Sequence, residues 1–299
     1  MKEIIKQFRP FINFKKLRGN NFRKIIKDDN NLICLLTDNI NANVNGSGVE
    51  NLGTDWMLRN MGAGNFKFSR RWAWLYRHYI WASKVTIPRA HLVDIGCDVG
   101  EIRNIISKSF YVKNPLYFGI DLDFKRLTKG AAEIQMKIPA MYVQHDVTTK
   151  MDFIRSNSVD IVYAGEVIEH FKKKFGKILL KEIFRILKPG GKFLISTPNA
   201  KLSVGYDFHV YEYGIQEFCE MVSSVGLAID KVWGWTTIEK CIKKSKKKNV
   251  VKIYNILKEK INKDLVVSLI AYLDPEISES FCVEGRKPIP EKSSKTKLV

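Results

Sequence analysis

The stretch Val93-Asp94-Ile95-Gly96-Cys97-Asp98-Val99-Gly100 constrains the fold of this chain more than any other part. An apolar run breaks at a glycine turn and opens onto an amphipathic segment, which is how a strand passes into a helix. Such a turn aims backbone N–H groups and a helix N-terminus at the carboxyl edge of a sheet, where they suit an anionic or carboxylate group. From His91 onward, short apolar runs alternate with longer amphipathic segments, the pattern of a parallel sheet covered by helices. The pattern predicts strands at 91–95, 116–120, 141–145, 159–164 and 192–197, and helices near 100–109, 124–136, 167–187 and 213–225. Two further strands, 228–233 and 280–286, close an α/β domain.

The chain as a whole is basic. It has 50 Lys+Arg against 31 Asp+Glu in 299 residues, a formal charge of +19. That field favours polyanions such as nucleic acid or anionic membrane surfaces, although a solvated lysine-rich surface explains it equally well. Residues 1–55 read as a basic N-terminal extension and linker. Residues 56–88 hold four of the six tryptophans among Arg59, Arg70, Arg71 and Arg77. There Trp74, Arg77, His78 and Trp81 fall at helical spacing, as in an amphipathic helix packed on the next domain; a lid or a nucleic-acid stacking surface is the rival reading. Residues 89–288 form the main domain, with an insertion at 236–276 that carries Lys243-Lys244-Ser245-Lys246-Lys247-Lys248, a solvated flap or a contact surface for an acidic acceptor. Residues 289–299 read as a flexible tail.

No uninterrupted apolar run approaches the ~20 residues that span a bilayer, and the N-terminus lacks the apolar block of a signal peptide. The expectation is a cytoplasmic protein. The five cysteines lie far apart and suggest neither a disulfide framework nor a zinc site.

Twenty-one residues after Gly100, the second strand ends in Gly119-Ile120-Asp121. An acid at that tip can accept hydrogen bonds from both hydroxyls of a ribose, so the two elements together specify a nucleoside-containing ligand. Over residues 88–288 the sequence resembles the class I S-adenosylmethionine-dependent methyltransferases. The resemblance rests on VDIGCDVG, GIDLD, Asp146-Val147, VDIVYAGEVIEHF and RILKPGGKFLISTPN, in that order. It implies a Rossmann-like, doubly wound, seven-stranded sheet whose last strand is antiparallel, preceded by an N-terminal helical extension. Asp94, Gly96, Cys97, Asp98 and Gly100 would then lie beneath the methionine moiety, Asp121 with Leu122 at the ribose, and Asp146 with Val147 beside the adenine. Gly165 and Glu166, at the tip of the fourth strand, complete the cofactor-binding set. Each acid has a plainer reading: Asp94 caps a turn, Asp121 caps helix 124–136, or Asp146 starts a helical turn. Most members of the family have glycine where this chain has Asp98. A carboxylate there crowds and repels the carboxylate of the cofactor unless it turns outward, and it keeps open a non-catalytic scaffold on the same fold.

The second constellation is Glu166-Val167-Ile168-Glu169-His170. On a helix, Glu166, Glu169 and His170 share a face, and the later His209 can supply a fourth group. Two carboxylates and an imidazole suit Mg²⁺ or Mn²⁺, and suit equally a general base with its orienting partners, with His170, His209 and Glu169 as the catalytic candidates. In a structural reading Glu166 caps the helix and His170 packs on a loop. The segment is similar to the small-RNA terminal ribose methyltransferases, whose Glu-x-x-Glu-His segment and later His hold a metal against two ribose hydroxyls. That likeness implies Glu166, Glu169, His170 and His209 as ligands. Methyltransferases of small molecules, quinones or glycans show similar turns. Ala164-Gly165-Glu166 replaces the Asn/Asp-Pro-Pro-aromatic tetrapeptide of exocyclic amine methylation on DNA. The expected activity is methyl transfer to oxygen, with RNA favoured over DNA as acceptor and a small molecule, lipid or glycan as the alternative.

Overall fold

His91–Ile95 forms a strand because Leu92, Val93 and Ile95 are β-formers with a covered face on either side, and all three are buried. The computed structural model describes residues 6–19, 25–28, 32–35, 78, 81–82, 84–85, 87–100, 102–103, 115–133, 138–203, 205–236, 239–243, 245–260 and 263–290. Its strands are β1 (Ile25–Asp28), β2 (Leu32–Leu35), β3 (His91–Ile95), β4 (Leu116–Asp121), β5 (Ala140–Gln144), β6 (Val159–Gly165), β7 (Leu187–Pro198), β8 (Ala228–Trp235) and β9 (Ser280–Arg286). They form one sheet in the order β1-β2-β5-β4-β3-β6-β7-β9-β8. The seven strands β5 to β8 of that order are the expected Rossmann-like set, with β9 antiparallel to both β7 and β8. The chain winds outward from β3 through β4 to β5, then returns to the other side of β3 through β6 to β7. That reversal opens a crevice at the carboxyl tips of β3, β4 and β6, where open α/β sheets bind ligands.

The basic extension at 1–55 holds elements that the sequence reading did not place. Phe14–Gly19 is helical, but Ile25–Asp28 and Leu32–Leu35 pair as an antiparallel hairpin, and β2 then adds in parallel to β5. Lys-Asp and Asn-Asn around short β-branched runs are a hairpin signal that the basic composition obscured. Helix 167–187 also divides. A short 3-10 turn covers Ile168–His170, and the α-helix begins only at Lys173, running to Ile186. The carbonyl of Glu169 accepts from the N–H groups of Val210 and Tyr211, so it is already engaged when an α-helix would need it.

Side chains alternate between the two faces of the sheet. One core joins Val93, Phe118, Val143 and Val162 to Leu179, Leu180 and Ile183 of the Lys173–Ile186 helix. The other joins Leu92, Tyr117, Tyr142 and Tyr163 to Leu127, Trp81 and Trp233. His78 and Trp81 are buried there, His78 edge-on to Tyr163 at 5.6 Å. Most of 56–88, including Trp74 and Arg77, most of helix 100–109, Lys244 and most of the tail lie outside the described residues. The insertion leaves the carboxyl end of β8 and is helical, at Glu239–Lys243, Lys248–Leu257 and Lys263–Leu273. It closes on its own small core of Ile242, Tyr254, Val266, Val267, Ile270 and Ile277.

Candidate active site

After β3 the chain turns through Gly96, whose φ is +66° and whose N–H donates to the Ile120 carbonyl at 2.8 Å. A side chain here would meet the Val167 Cγ2 at 2.6 Å, so glycine serves both the left-handed backbone and the close approach. Gly100 also has positive φ, and its N–H closes the turn onto the Cys97 carbonyl. Asp94 is buried and accepts the Tyr117 hydroxyl at 2.5 Å, a bond that fixes it beneath the turn. Cys97 is buried among these acids, and its thiol is pushed up first by desolvation.

Asp121 ends β4 and accepts N–H bonds from Asp98 at 2.8 Å and Asp123 at 2.9 Å. It does not cap the following helix, Phe124–Glu133. Asp123 does so, accepting from the N–H groups of Lys125 and Arg126. Asp121 therefore keeps outward lone pairs at the strand tip beside Leu122. Burial pushes its carboxyl up, and the two N–H donors pull it back. At the end of β5, Asp146 does start a turn: Oδ1 accepts from the Thr148 N–H and hydroxyl, and its carbonyl accepts from Thr149. Its other oxygen, Oδ2, is buried and meets no hydrogen-bond partner among the described residues. A carboxylate oxygen in that position needs a donor, which an adenine amino group would provide. Val147 lies buried beside it.

Asp98 adopts φ +49°, a left-handed conformation uncommon for a side-chain-bearing residue. Its carboxylate turns to Arg126, with Nη1 at 3.5 Å, and Arg126 also contacts Asp123 at 3.3 Å. The charge that would repel a ligand carboxylate is thus held by a guanidinium. Arg126→Ala should weaken S-adenosylmethionine binding about tenfold, the scale of one uncompensated charge near a surface. Adding Asp98→Gly should restore it. Calorimetry on the single and double variants checks both, and a double variant as weak as the single one would refute the compensation.

A second group of side chains stands over the same edge. Glu166 follows β6 with φ +52°, and its Oε2 accepts from the Ser280 hydroxyl at 3.4 Å. Gly165, just before it, packs on the Tyr163 hydroxyl. Glu166 does not cap the next helix, whose N-cap is Lys172. Glu169 is 1% exposed, accepts from the Thr197 hydroxyl, and is pushed well up by burial and then by the neighbouring Glu166. The His170 Nδ1 lies 3.2 Å from the Phe208 carbonyl, and the ring stacks on Phe208. Burial pushes His170 down to about 4, so the ring is neutral at pH 7. A carbonyl only accepts, so the ring can donate from Nδ1 to Phe208, and the Glu166 carbonyl is a second acceptor beside it. His209 places Nδ1 2.6 Å from Glu212 Oε1, and the Ser203 hydroxyl donates to the same oxygen. Glu169, His170 and His209 each offer a ligand atom within 4.8 Å of the others. Glu166 is not in that group: with positive φ and a 3-10 turn, the helical face shared by the acids does not form. Arg126, and Glu212 as the partner of His209, were not singled out by the sequence. The signal for Glu212 was its i+3 spacing from His209, and Arg126 had none.

Residues 93–195 match the family model described as a methyltransferase domain. Residues 93–195 thus form a methyltransferase domain, similar to those of the S-adenosylmethionine-dependent class. Over 121 residues it is 31% identical to a Mycolicibacterium smegmatis protein described as a probable S-adenosylmethionine-dependent methyltransferase, covering 38% of this chain and 45% of that one. Over 152 residues it is 30% identical to phosphoethanolamine N-methyltransferase 1 of Arabidopsis thaliana, covering 46% of this chain and 29% of that one. The chain thus spans less than half the length of these relatives. In fold, it matches a SAM dependent methyltransferase from Archaeoglobus fulgidus with a TM-score of 0.53 and 17% identity, over 78% of this chain and 99% of that one.

The methyltransferase domain fits its cofactor on its own geometry, through the glycine cradle at Gly96, the acid at the β4 tip and the orphaned Asp146 oxygen. No helix among the described residues is long and apolar enough to cross a membrane.

Proposed function

We propose that the protein transfers the methyl group of S-adenosylmethionine to a small polar acceptor that enters over the carboxyl tips of β3, β6 and β7. The observation that carries this reading is the convergence of Glu169, His170 and His209 on one point at the edge that also bears the nucleoside cradle. When bound, the sulfonium cofactor supplies an electrophilic methyl. Asp121 would hold its ribose, Asp146 its adenine, and the turn Gly96–Gly100 its methionine end, with Asp94 fixing the turn from below. His170 and His209 present imidazoles that can accept a proton from an acceptor hydroxyl or amine. Glu212 orients His209, and the Phe208 carbonyl orients His170. The wall formed by Tyr206 and Phe208, stacked at 5.1 Å, restricts water around that proton transfer. Similarity to phosphoethanolamine N-methyltransferases supports a small acceptor, with transfer to nitrogen as well as oxygen open to the same base.

A second reading has its own observation. One carboxyl and two imidazoles within 4.8 Å of one another are a donor set for Mg²⁺ or Mn²⁺, and metal binding would displace the proton that burial favours on Glu169. With +19 charge, that arrangement suits transfer to a ribose oxygen of RNA. A labelled-methyl transfer screen over RNA, DNA and a metabolite extract, with and without EDTA, separates the two. The small-acceptor reading predicts label in the extract, unaffected by EDTA. Label confined to RNA and lost with EDTA selects the metal reading, and no label anywhere removes both in favour of a scaffold.

A further inference from the structure

The helical insertion carries a face that its own packing does not explain. In the helix Lys248–Leu257, Val250, Tyr254 and Leu257 recur at helical spacing and turn inward onto the insertion's small core. The flank beside that inward face is exposed and yet apolar: Ile253 is 48% and Ile256 50% exposed, one turn apart. The adjoining helix Lys263–Leu273 exposes a second such pair, Leu269 at 39% and Leu273 at 76%. Around the isoleucines positive charge dominates. Between Glu239 and Lys263 there are ten lysines against two glutamates, and Lys246, Lys248 and Lys252 are exposed.

We propose that the helix Lys248–Leu257 docks the protein on an anionic lipid bilayer, with Ile253 and Ile256 entering the headgroup boundary and the surrounding lysines meeting lipid phosphates. Lysine on the polar side with aliphatic residues beside it is the composition of a helix that lies in a membrane interface. A cluster of this size supplies the electrostatic attraction that a shallow apolar insertion needs for stable binding. Nucleic acid is the rival polyanion, and the chemistry here speaks against it. Residues 236–276 contain no arginine, and their only aromatic residues are Tyr254, which is buried, and Tyr272, which lies under the Lys231 ammonium. The surface therefore lacks the guanidinium forks and stacking rings that read nucleic acid. The docking does not depend on the transfer chemistry, and its failure would leave that chemistry standing.

The test is co-sedimentation of the full chain with vesicles of phosphatidylcholine alone and of phosphatidylcholine mixed with phosphatidylglycerol, beside binding to an oligoribonucleotide. The protein should pellet with the mixed vesicles only, and less as salt rises. Ile253→Ser with Ile256→Ser should weaken that binding at least about tenfold, and Lys246→Glu, Lys248→Glu and Lys252→Glu together should weaken it further. Thermal unfolding and cofactor affinity should stay at the parent value in both variants, which separates lost docking from lost fold. Three outcomes overturn the proposal: no pelleting with mixed vesicles, vesicle binding indifferent to the isoleucine pair, or lysine-dependent RNA binding in the absence of vesicle binding.

Discussion

Asp121→Ala should leave no measurable binding of S-adenosylmethionine by calorimetry, a loss of more than about 100-fold. In the proposed site the carboxylate at the β4 tip accepts from both ribose hydroxyls, and a hydrogen bond to a charged group contributes about 1.5–3 kcal/mol. It also anchors the glycine turn, because the Asp98 N–H donates to it. Removing it therefore loses ligand contacts and loosens the cradle together. Asp123→Ala provides the contrast. Asp123 caps the Phe124–Glu133 helix through Lys125 and Arg126, so its loss should cost about 1 kcal/mol of stability while cofactor binding persists. Equal loss of binding in the two variants would mean that Asp121 acts only through the local backbone.

His170→Ala and His209→Ala should each lower methyl transfer by about 10²- to 10⁴-fold while cofactor affinity stays at the parent value, as expected for a group that acts on the proton of the acceptor. The two rings lie 5.4 Å apart and each has its Nδ1 committed, to Phe208 and to Glu212 respectively. The imidazole that takes the proton should show its loss in kcat. The one that only positions the acceptor should show it mainly in KM. Glu212→Gln retains a hydrogen-bond acceptor for His209 but removes the charge that steadies an imidazolium, so a smaller loss than His209→Ala identifies His209 as the base. Unchanged transfer in both histidine variants would reduce the cluster to packing.

The fold was legible because its signals are periodic and local. Each strand from β3 to β9 overlaps its expected place, with β7 beginning five residues early at Leu187, since buried strands show as short apolar runs between glycine turns. The residues proposed to cradle the nucleoside were equally easy to single out: Gly96, Asp121 and Asp146 are each tied to the end of a strand. The acceptor side was less so. Spacing put Glu166 and Glu169 on one helical face, but Val210 and Tyr211 take the Glu169 carbonyl from across the domain and the helix starts late. Only the fold shows that bond. Arg126 was hidden for the same reason, since its pairing with Asp98 joins a helix to a turn 28 residues away in sequence. The hairpin β1–β2 gains its place by adding to the edge of β5, a tertiary partner that four-residue strands do not announce.

The central claim is that a nucleoside lies across the tips of β3, β4 and β5. A crystal structure of the protein grown with S-adenosylhomocysteine tests it directly. The ribose hydroxyls should meet Asp121, and the adenine amino group should meet Asp146 Oδ2, with Asp98 still turned to Arg126. An Asp98 carboxylate swung into the crevice, with no nucleoside density at those strand tips, would contradict it.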